Sequence, residues 1–286
     1  MSNKNDVEVV TGNNEKKHTK DHADKLIQEL KLKERLKKVR NKIVVLSGKG
    51  GVGKSTVAVN LAQSLANRGK RVGLLDVDVH GPSVPTMLGL DDYKITPTAG
   101  ELEPALFEGM KVISIGFLLP DKDSPVIWRG PLKMGIIEQF LRDVNWGELD
   151  YLIIDAPPGT GDEPLTICQL IDEAKALIVT TPQKVATMDV RKSITFCHQM
   201  DTPILGIVEN MNGMICPKCG EHLIIFPNGE AKAMAKSMDV EFLASLPMDP
   251  NVAAGADHGQ VFVNTSSTPV AEGMMLLVDK LIKITN

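Results

Sequence analysis

The residues best suited to chemistry form a glycine-rich stretch whose sequence matches the phosphate-binding pattern G-x-x-x-x-G-K-[ST] and follows an apolar, strand-like run. Its glycines let backbone N–H groups converge on phosphate oxygens, and the following helix points its positive end at the same anion. The stretch therefore predicts a binding site for ATP and Mg²⁺. Lys54 is expected to reach the β- and γ-phosphates and the Ser55 hydroxyl to ligate Mg²⁺. The predicted nucleotide-binding residues here are Gly48, Lys49, Gly50, Gly51, Val52, Gly53, Lys54, Ser55 and Thr56.

Three aspartates at the ends of apolar runs are candidates to complete this site. Asp76 and Asp78 follow one run, and Asp155 follows another in a pattern typical of a Walker B strand. Ligands collect at the carboxyl ends of strands in open α/β sheets, so these carboxylates are expected beside the phosphates, and Asp155 is expected to hold Mg²⁺ or its water. The alternative for each is a simple helix cap.

A second lysine, Lys49, directly follows the first glycine of the stretch. Together with Lys54 it gives more positive charge than one triphosphate needs from its own chain. The pattern K-G-G-x-G-K-[ST] resembles the deviant Walker A class, in which the extra lysine crosses a dimer interface to the partner's nucleotide, much as an arginine finger does. This resemblance implies a homodimer. The alternative is a solvated loop lysine.

A pair of cysteines, Cys216 and Cys219, forms a Cys-x-x-Cys knuckle. Soft thiolates select Zn²⁺, Cu⁺ or an iron–sulfur cluster, and a closed tetrahedral site needs four ligands. His222 is a candidate third ligand, whereas Cys168 and Cys197 lie in predicted helices and are expected to be core residues. Two copies related by a two-fold axis would bring four thiolates together, which suits a [4Fe–4S] cluster between the subunits. A half zinc ribbon that staples a loop and a redox dithiol are the alternatives.

These residues need a scaffold that brings strand ends together. Short apolar runs rich in β-branched residues alternate with helical stretches, which is typical of an α/β fold with a parallel sheet. The expected strands are Ile43–Leu46, Val72–Leu75, Val112–Ile115, Tyr151–Ile154, Ala176–Val179, Ile204–Val208 and Phe242–Ala244. The expected helices include Ser55–Asn67, Leu132–Arg142, Val185–Met200 and Ala271–Ile284. We predict a P-loop NTPase fold, with a mostly parallel, twisted sheet flanked by helices on both faces; Ile95–Gly109 is irregular.

Composition divides the chain into a polar start and one large domain. Residues 1–20 are predicted to be a disordered tail, residues 21–41 a charged helical lead-in, and residues 42–286 a single ATPase domain. The 32 basic and 36 acidic side chains give a net charge of −4, which argues against nucleic acid as a partner. The sequence contains no apolar run of membrane-spanning length and no apolar signal core, so a cytoplasmic protein without a membrane partner is expected.

The motifs together resemble those of the Mrp/ApbC family of iron–sulfur cluster carrier ATPases, from about Lys42 to the C-terminus. The motifs are Gly48–Thr56, Asp76–Ser83, Trp128–Pro131, Asp155–Asp162, Glu209–Met211 and the pair Cys216 and Cys219. Some members carry a second cluster on an N-terminal domain with its own cysteines. Residues 1–41 contain no cysteine, so that second cluster is not expected here.

The resemblance implies roles for individual residues. Asp78 would position the attacking water, Asp76 would support the Mg²⁺ shell, and Asn210 would hydrogen-bond the adenine. Cys216 and Cys219 would hold a [4Fe–4S] cluster at a homodimer interface, and the protein would pass this cluster to apoproteins. The predicted catalytic residues are Lys49, Lys54, Asp78 and Asp155. The alternatives are a positioning or scaffold ATPase and a P-loop ATPase with a structural zinc site.

Overall fold

The computed structural model has one large sheet with helices on both of its faces. It describes residues 11–79, 81–98, 100–119, 130–216, 218–226, 230–265 and 268–286. The strands are β1 (Val39–Ser47), β2 (Val72–Asp76), β3 (Pro97–Thr98), β4 (Glu101–Leu102), β5 (Ala105–Phe107), β6 (Met110–Ser114), β7 (Leu149–Asp155), β8 (Ala174–Thr180), β9 (Ile204–Glu209), β10 (Met214–Ile215), β11 (His222–Leu223) and β12 (Phe242–Ser245). The large sheet has the order β12-β9-β8-β1-β7-β2-β6-β5, and its neighbours are parallel except for β5 and β6. The pairs β3–β4 and β10–β11 form short antiparallel hairpins outside this sheet.

Helices connect the parallel strands across the faces of the sheet. They are α1 (Thr11–Lys37), α2 (Lys54–Asn67), α3 (Val84–Met87), α4 (Gly130–Asp143), α5 (Asp162–Leu170), α6 (Lys184–Gln199), α7 (Glu230–Ser237), α8 (Pro250–Asp257), α9 (Phe262–Thr265) and α10 (Pro269–Thr285). Such connections are needed because parallel neighbours cannot be joined by a tight turn.

The hydrophobic core lies on both faces of the sheet, as alternate residues of β1 show. Ile43 and Val45 pack with α2 and α10 on one face, whereas Val44 and Leu46 pack with α1 and α4 on the other. Successive side chains of a strand point to opposite faces, so a central strand covered on both sides has to be apolar throughout. This burial explains why continuous apolar runs, rather than alternating ones, predict the strands of this chain.

The predicted fold class is confirmed, and each expected strand and helix corresponds to an element of the structure. The irregular stretch Ile95–Gly109 contains the β3–β4 hairpin and β5, which adds an antiparallel edge to the sheet. Strands of two or three residues are too short to produce a periodic signal in the sequence.

The N-terminal boundaries differ from the prediction. Helix α1 begins at Thr11, inside the stretch expected to be a disordered tail, and β1 begins at Val39, before the expected domain boundary. The sequence from Asn13 to Lys37 contains no Gly or Pro to interrupt a helix. Near its end, α1 packs onto α4 through Leu32 and Leu36. The division into domains stays a prediction. Within the described residues, no helix is long and apolar enough to cross a membrane.

Candidate functional site

The predicted phosphate-binding stretch forms the loop between β1 and α2, near the centre of the large sheet. β1 lies between β7 and β8 and ends at Ser47, and α2 begins at Lys54. Gly51 and Gly53 have φ values of 77° and 79°, in the left-handed region that glycine adopts without strain. The first turn of the 14-residue α2 leaves backbone N–H groups unpaired next to the loop, which favours an anion there. The loop therefore has the backbone form that phosphate binding requires.

Asn210 braces this loop from the neighbouring strand end. It follows β9, where its N–H donates to the carbonyl of Thr180 at 2.7 Å, and its Nδ2 donates to the carbonyl of Val52 at 2.9 Å. A Cβ atom on Gly53 would overlap Nδ2 of Asn210, so both the φ value and the neighbour require glycine there. The expected contact between Asn210 and adenine stays a prediction.

The three predicted carboxylates converge on Lys54. Asp155 of β7 is the register partner of Asp76 of β2, and both side chains are fully buried. The Nζ of Lys54 donates to Oδ1 of Asp155 at 2.6 Å and lies 3.6 Å from Oδ2 of Asp78. The structure thus brings together the acids that the sequence placed on two separate strands, and it leaves their catalytic roles as predictions.

Asp76 is strongly affected by its surroundings. Burial, together with the negative charge of Asp155, raises the pKa of Asp76 to about 7. The Oγ of Ser114 donates to Oδ2 of Asp76 at 2.8 Å, the N–H of Asp78 donates to Oδ1 at 3.1 Å, and both bonds oppose this rise. Sequence reasoning missed Ser114, although a lone polar residue inside an apolar strand run is a signal that could have found it.

Asp155 provides the test of whether Mg²⁺ fits this site. Its Oδ2 is buried and has no hydrogen-bond partner among the described residues, whereas its Oδ1 is bound by Lys54. A buried carboxylate oxygen without a partner is costly unless an ion, a water or a ligand satisfies it. Mg²⁺ takes oxygen ligands and its own waters next to nucleotide phosphates, and the hydroxyl of Ser55 follows Lys54 directly. The residues present therefore fit Mg²⁺.

An apolar cavity of about 300 Å³ lies beside the phosphate loop. Thr56, in the first turn of α2, and Asn210 belong to its wall. The apolar residues of the wall include Met211, Met214, Leu246, Met248, Phe262 and Met274. An apolar cavity with a few polar groups next to a phosphate site suits the flat ring of a nucleotide base.

Lys49 has a partner within its own chain. Its Nζ donates to Oε1 of Gln183 at 3.0 Å, and Gln183 is the residue that precedes α6. Helix α6 also lies close to the loop, because a Cβ atom on Gly48 would be 2.6 Å from Cβ of Asp189. The crossing of Lys49 to a second copy stays a prediction.

The two predicted metal-binding cysteines lie in the turn between β10 and β11. The N–H of Cys216 donates to the carbonyl of Glu221, and the N–H of Gly220 donates back to the carbonyl of Cys216, both at 2.9 Å. Hydrogen bonds from the backbone N–H groups of Cys219 and Lys218, and from the side chain of Cys219, lower the pKa of the Cys216 thiol. Cys219 is exposed. The turn therefore favours a thiolate at Cys216, the form that binds metals.

The described residues contain no further ligand for this pair. No group of three or more His, Cys, Asp or Glu side chains that could hold a metal ion is found among them. The ring of His222 lies against Gly213 instead. Cys168 and Cys197 lie in α5 and α6 within the core, where burial raises the pKa of both thiols, that of Cys197 to about 12. They are core residues, as the sequence predicts.

One short segment joins the phosphate loop to the cysteines. It begins at Asn210, which holds the loop, and continues through β10 to Cys216. The N–H of Asn212 donates at 2.9 Å to a carbonyl just after β12, and the N–H of Met248 donates to the carbonyl of Gly213 at 2.8 Å. The segment is therefore fixed along the edge of the domain by backbone hydrogen bonds.

A polar network supports the same segment, and sequence reasoning missed it. The Nδ2 of Asn212 donates to Oγ of Ser245 at 2.6 Å, and this Oγ donates to Oε2 of Glu209 at 3.0 Å. Burial raises the pKa of Glu209. The network spans the ends of β9 and β12, which the strand order places side by side.

Three motifs of the sequence extend beyond what the structure describes, and the first, Asp76–Ser83, includes His80, which lies outside the described residues. Trp128 and Arg129 lie outside the described residues, and so does the side chain of Asp162. In the loop that follows β7, the N–H of Gly159 donates to the carbonyl of Ser47 at 2.8 Å. This hydrogen bond holds the loop next to the start of the phosphate loop.

Comparison with known proteins agrees with this geometry. The chain is 51% identical over 234 residues to an iron–sulfur cluster carrier protein of Methanocaldococcus jannaschii, covering 81% of each chain. It is 48% identical over 259 residues to an iron–sulfur cluster carrier protein of Saccharolobus solfataricus, covering 90% of this chain and 88% of that one.

Solved structures share the fold. A nucleotide-binding protein of Archaeoglobus fulgidus in complex with ADP matches with a TM-score of 0.74 and 46% identity, over 82% of this chain and 92% of that one. The cell division ATPase MinD of Pyrococcus furiosus matches with a TM-score of 0.61 and 25% identity, over 86% and 99% of the two chains. A family profile described as ParA: NUBPL iron-transfer P-loop NTPase matches residues 38–282. The chain therefore belongs to the NUBPL iron-transfer P-loop NTPase family.

Proposed function

We propose that the protein is an ATP-hydrolysing iron–sulfur cluster carrier that binds a [4Fe–4S] cluster between two copies of the chain and transfers it to apoproteins. One observation carries the proposal: a thiol pair without a further ligand among the described residues lies on the segment that braces a phosphate-binding loop. Two similar proteins are named iron–sulfur cluster carrier proteins, which supports an iron–sulfur cluster as the cargo. Thiolates need a reducing compartment, so we place the carrier in the cytoplasm.

For hydrolysis, the loop amides and Lys54 bind the triphosphate. Ser55 and Asp155 would hold Mg²⁺ or its waters, and Mg²⁺ supplies positive charge to the transferring phosphoryl group. Asp78, 3.6 Å from Nζ of Lys54, positions the attacking water. Asp76 is fully buried and supports Asp78 by accepting a hydrogen bond from its N–H.

For cargo binding, each copy supplies Cys216 and Cys219, and two copies supply the four thiolates of a [4Fe–4S] cluster. Apolar side chains flank the thiols: Ile215, Leu223, Ile224 and Ile225 are each more than a third exposed, and Ile224 reaches 67%. Their burial in a two-fold contact would stabilise a dimer around the cluster. In that dimer, Lys49 would leave Gln183 and bind the nucleotide of the partner subunit.

The test is anaerobic reconstitution with iron and sulfide, followed by iron and sulfide analysis and size measurement. We expect about four iron and four sulfide per dimer, from the four-cysteine ligation of such clusters. The Cys216→Ala and Cys219→Ala variants should lose the chromophore, and the Cys168→Ala variant, which removes a core thiol, should keep it. Iron that persists without Cys216 would place the cluster elsewhere. Zinc that stays bound through chelation and exposure to air would instead support a structural site.

ATP hydrolysis is tested separately, with purified protein and Mg²⁺. Lys54→Met should abolish turnover, because it removes the side chain expected to reach the β- and γ-phosphates. Cluster binding without hydrolysis would support the carrier function and refute the ATPase activity. Hydrolysis without cluster binding, together with ATP-dependent sedimentation with liposomes or DNA, would support a positioning ATPase.

A further inference from the structure

Ser114 makes two hydrogen bonds through its hydroxyl, one to the backbone and one to Asp76. Its Oγ accepts from the N–H of Gly116 at 2.9 Å and lies 2.8 Å from Oδ2 of Asp76. An N–H group can only donate, so the Gly116 bond uses a lone pair of Oγ. The hydroxyl proton remains available for the second bond, and Oγ donates it to the ionised Asp76 carboxylate. Ser114 is fully buried, so water does not compete for either bond.

The other carboxylate oxygen of Asp76 also accepts a hydrogen bond from the protein. Its Oδ1 accepts from the N–H of Asp78 at 3.1 Å, so protein donors hold both oxygens. Asp155, the register partner of Asp76, instead keeps a buried Oδ2 without a hydrogen-bond partner among the described residues. The two buried carboxylates are thus unequal: Asp155 has an oxygen free for an ion or its water, and Asp76 is fixed as a support.

The turn that carries Ser114 also contacts the loop that carries Asp78. A Cβ atom on Gly116 would lie 2.9 Å from Cγ of Pro85 and 3.3 Å from Cβ of Pro82, so the backbone of this turn lies against the segment after Asp78. The orientation of Asp76 and the position of that segment therefore depend on one turn at the end of β6.

We propose that Ser114 is a positioning residue for the nucleotide reaction, which acts by holding the Asp76 carboxylate and, through it, the N–H of Asp78. Ser114 itself contacts neither nucleotide nor metal. The proposal rests on the proposed ATP hydrolysis, and it assigns to the end of β6 a part in the reaction that the phosphate-binding motifs do not include.

A double-mutant cycle on the full-length chain tests whether Ser114 acts through Asp76. The variants are Ser114→Ala, Asp76→Asn and the combination. One readout is steady-state ATP hydrolysis, and the other is the affinity for ADP by calorimetry with and without Mg²⁺. Loss of a hydrogen bond to a charged group is expected to lower kcat in Ser114→Ala by about tenfold to a hundredfold. The KM should stay within about threefold, because the loop amides and Lys54 are unchanged.

In the Asp76→Asn background, Ser114→Ala should cause no further loss in kcat or in the Mg²⁺-dependent gain in ADP affinity. Losses that multiply in the double variant, or an unaffected Ser114→Ala variant, would overturn the proposal. Ser193→Ala is the matched control, since it removes a buried hydroxyl that bonds a carbonyl within α6. If Ser114→Ala does not fold, Ser114→Cys replaces it in the cycle, because it keeps the volume with a much weaker donor.

The two readouts separate this inference from the proposed function. A wild-type protein that hydrolyses no ATP would refute the ATPase, and the Mg²⁺-dependent binding of ADP would still report on Ser114. A wild-type protein that hydrolyses ATP, with additive variants, would refute the role of Ser114 alone.

Discussion

Replacement of Asp76 by asparagine should stabilise the folded protein, and the stabilisation should grow with pH. Burial and the charge of Asp155 raise the pKa of Asp76 from 3.8 to about 7. The folded state therefore holds a proton on Asp76 that the unfolded chain releases at lower pH. The stability that this group gives is fully present below pH 3.8 and is lost as the pH rises through about 7. Asparagine is neutral throughout and suffers no such loss.

The magnitude follows from the difference between the two pKa values. Each pH unit of difference corresponds to about 1.36 kcal/mol, so the full cost of the ionised, buried Asp76 is about 4 kcal/mol. About 2–3 kcal/mol of that cost develops between pH 5 and pH 8. The advantage of Asp76→Asn over the wild type should therefore be about 2–3 kcal/mol larger at pH 8 than at pH 5.

The assay is urea unfolding of both proteins at pH 5, 6, 7 and 8, without nucleotide or Mg²⁺, followed by circular dichroism. Groups present in both proteins contribute equally to the pH dependence of their free energies of unfolding, so these contributions cancel in the difference. Asp172→Asn, which makes the same change at an exposed position, is the control. A difference for Asp76→Asn that is constant from pH 5 to pH 8 would refute the argument, because Asp76 would then titrate alike in both states.

Two further predictions concern the loop and the thiols. Gly53→Ala should lower the free energy of unfolding by about 2–4 kcal/mol, because alanine is strained at the left-handed φ and its Cβ displaces the Asn210 amide, and it should weaken ADP binding. Gly50→Ala is the control: it has open space around it and should change the free energy of unfolding by less than about 1 kcal/mol in the same denaturation assay. Equal effects of the two substitutions would contradict this account. In timed alkylation with iodoacetamide at pH 7, read by mass spectrometry, Cys216 should react at least about tenfold faster than the buried Cys197, and the reverse order would contradict the assigned environments.

The fold is largely predictable from the sequence because its signals are local. A run such as Ile43–Leu46 is apolar on both faces, and the glycine-rich loop and a helix follow it directly. Strand ends then bring Asp76 and Asp155 together, because parallel strands present their carboxyl ends at one edge. The antiparallel strand Ala105–Phe107 is not predictable in this way, since its pairing with β6 depends on a turn within an irregular stretch.

The side-chain partners within the site are not predictable, because they depend on which strands are neighbours. Ser114 meets Asp76 only because β6 lies next to β2, and the sequence does not specify that order. Gln183 meets Lys49 across 134 residues. The role of Ser245 likewise requires that β12 lies beside β9.

The segment from Asn210 to Cys216 has a consequence for how far the chain can vary. A fully extended chain advances at most about 3.6 Å per residue, so the Cα atoms of Asn210 and Cys216 cannot lie more than about 22 Å apart. Insertions after Cys219, in the exposed part of the hairpin, leave that span unchanged. An insertion between Asn210 and Cys216 would keep the phosphate loop and the cysteine pair, but it would remove the limit on the distance between them.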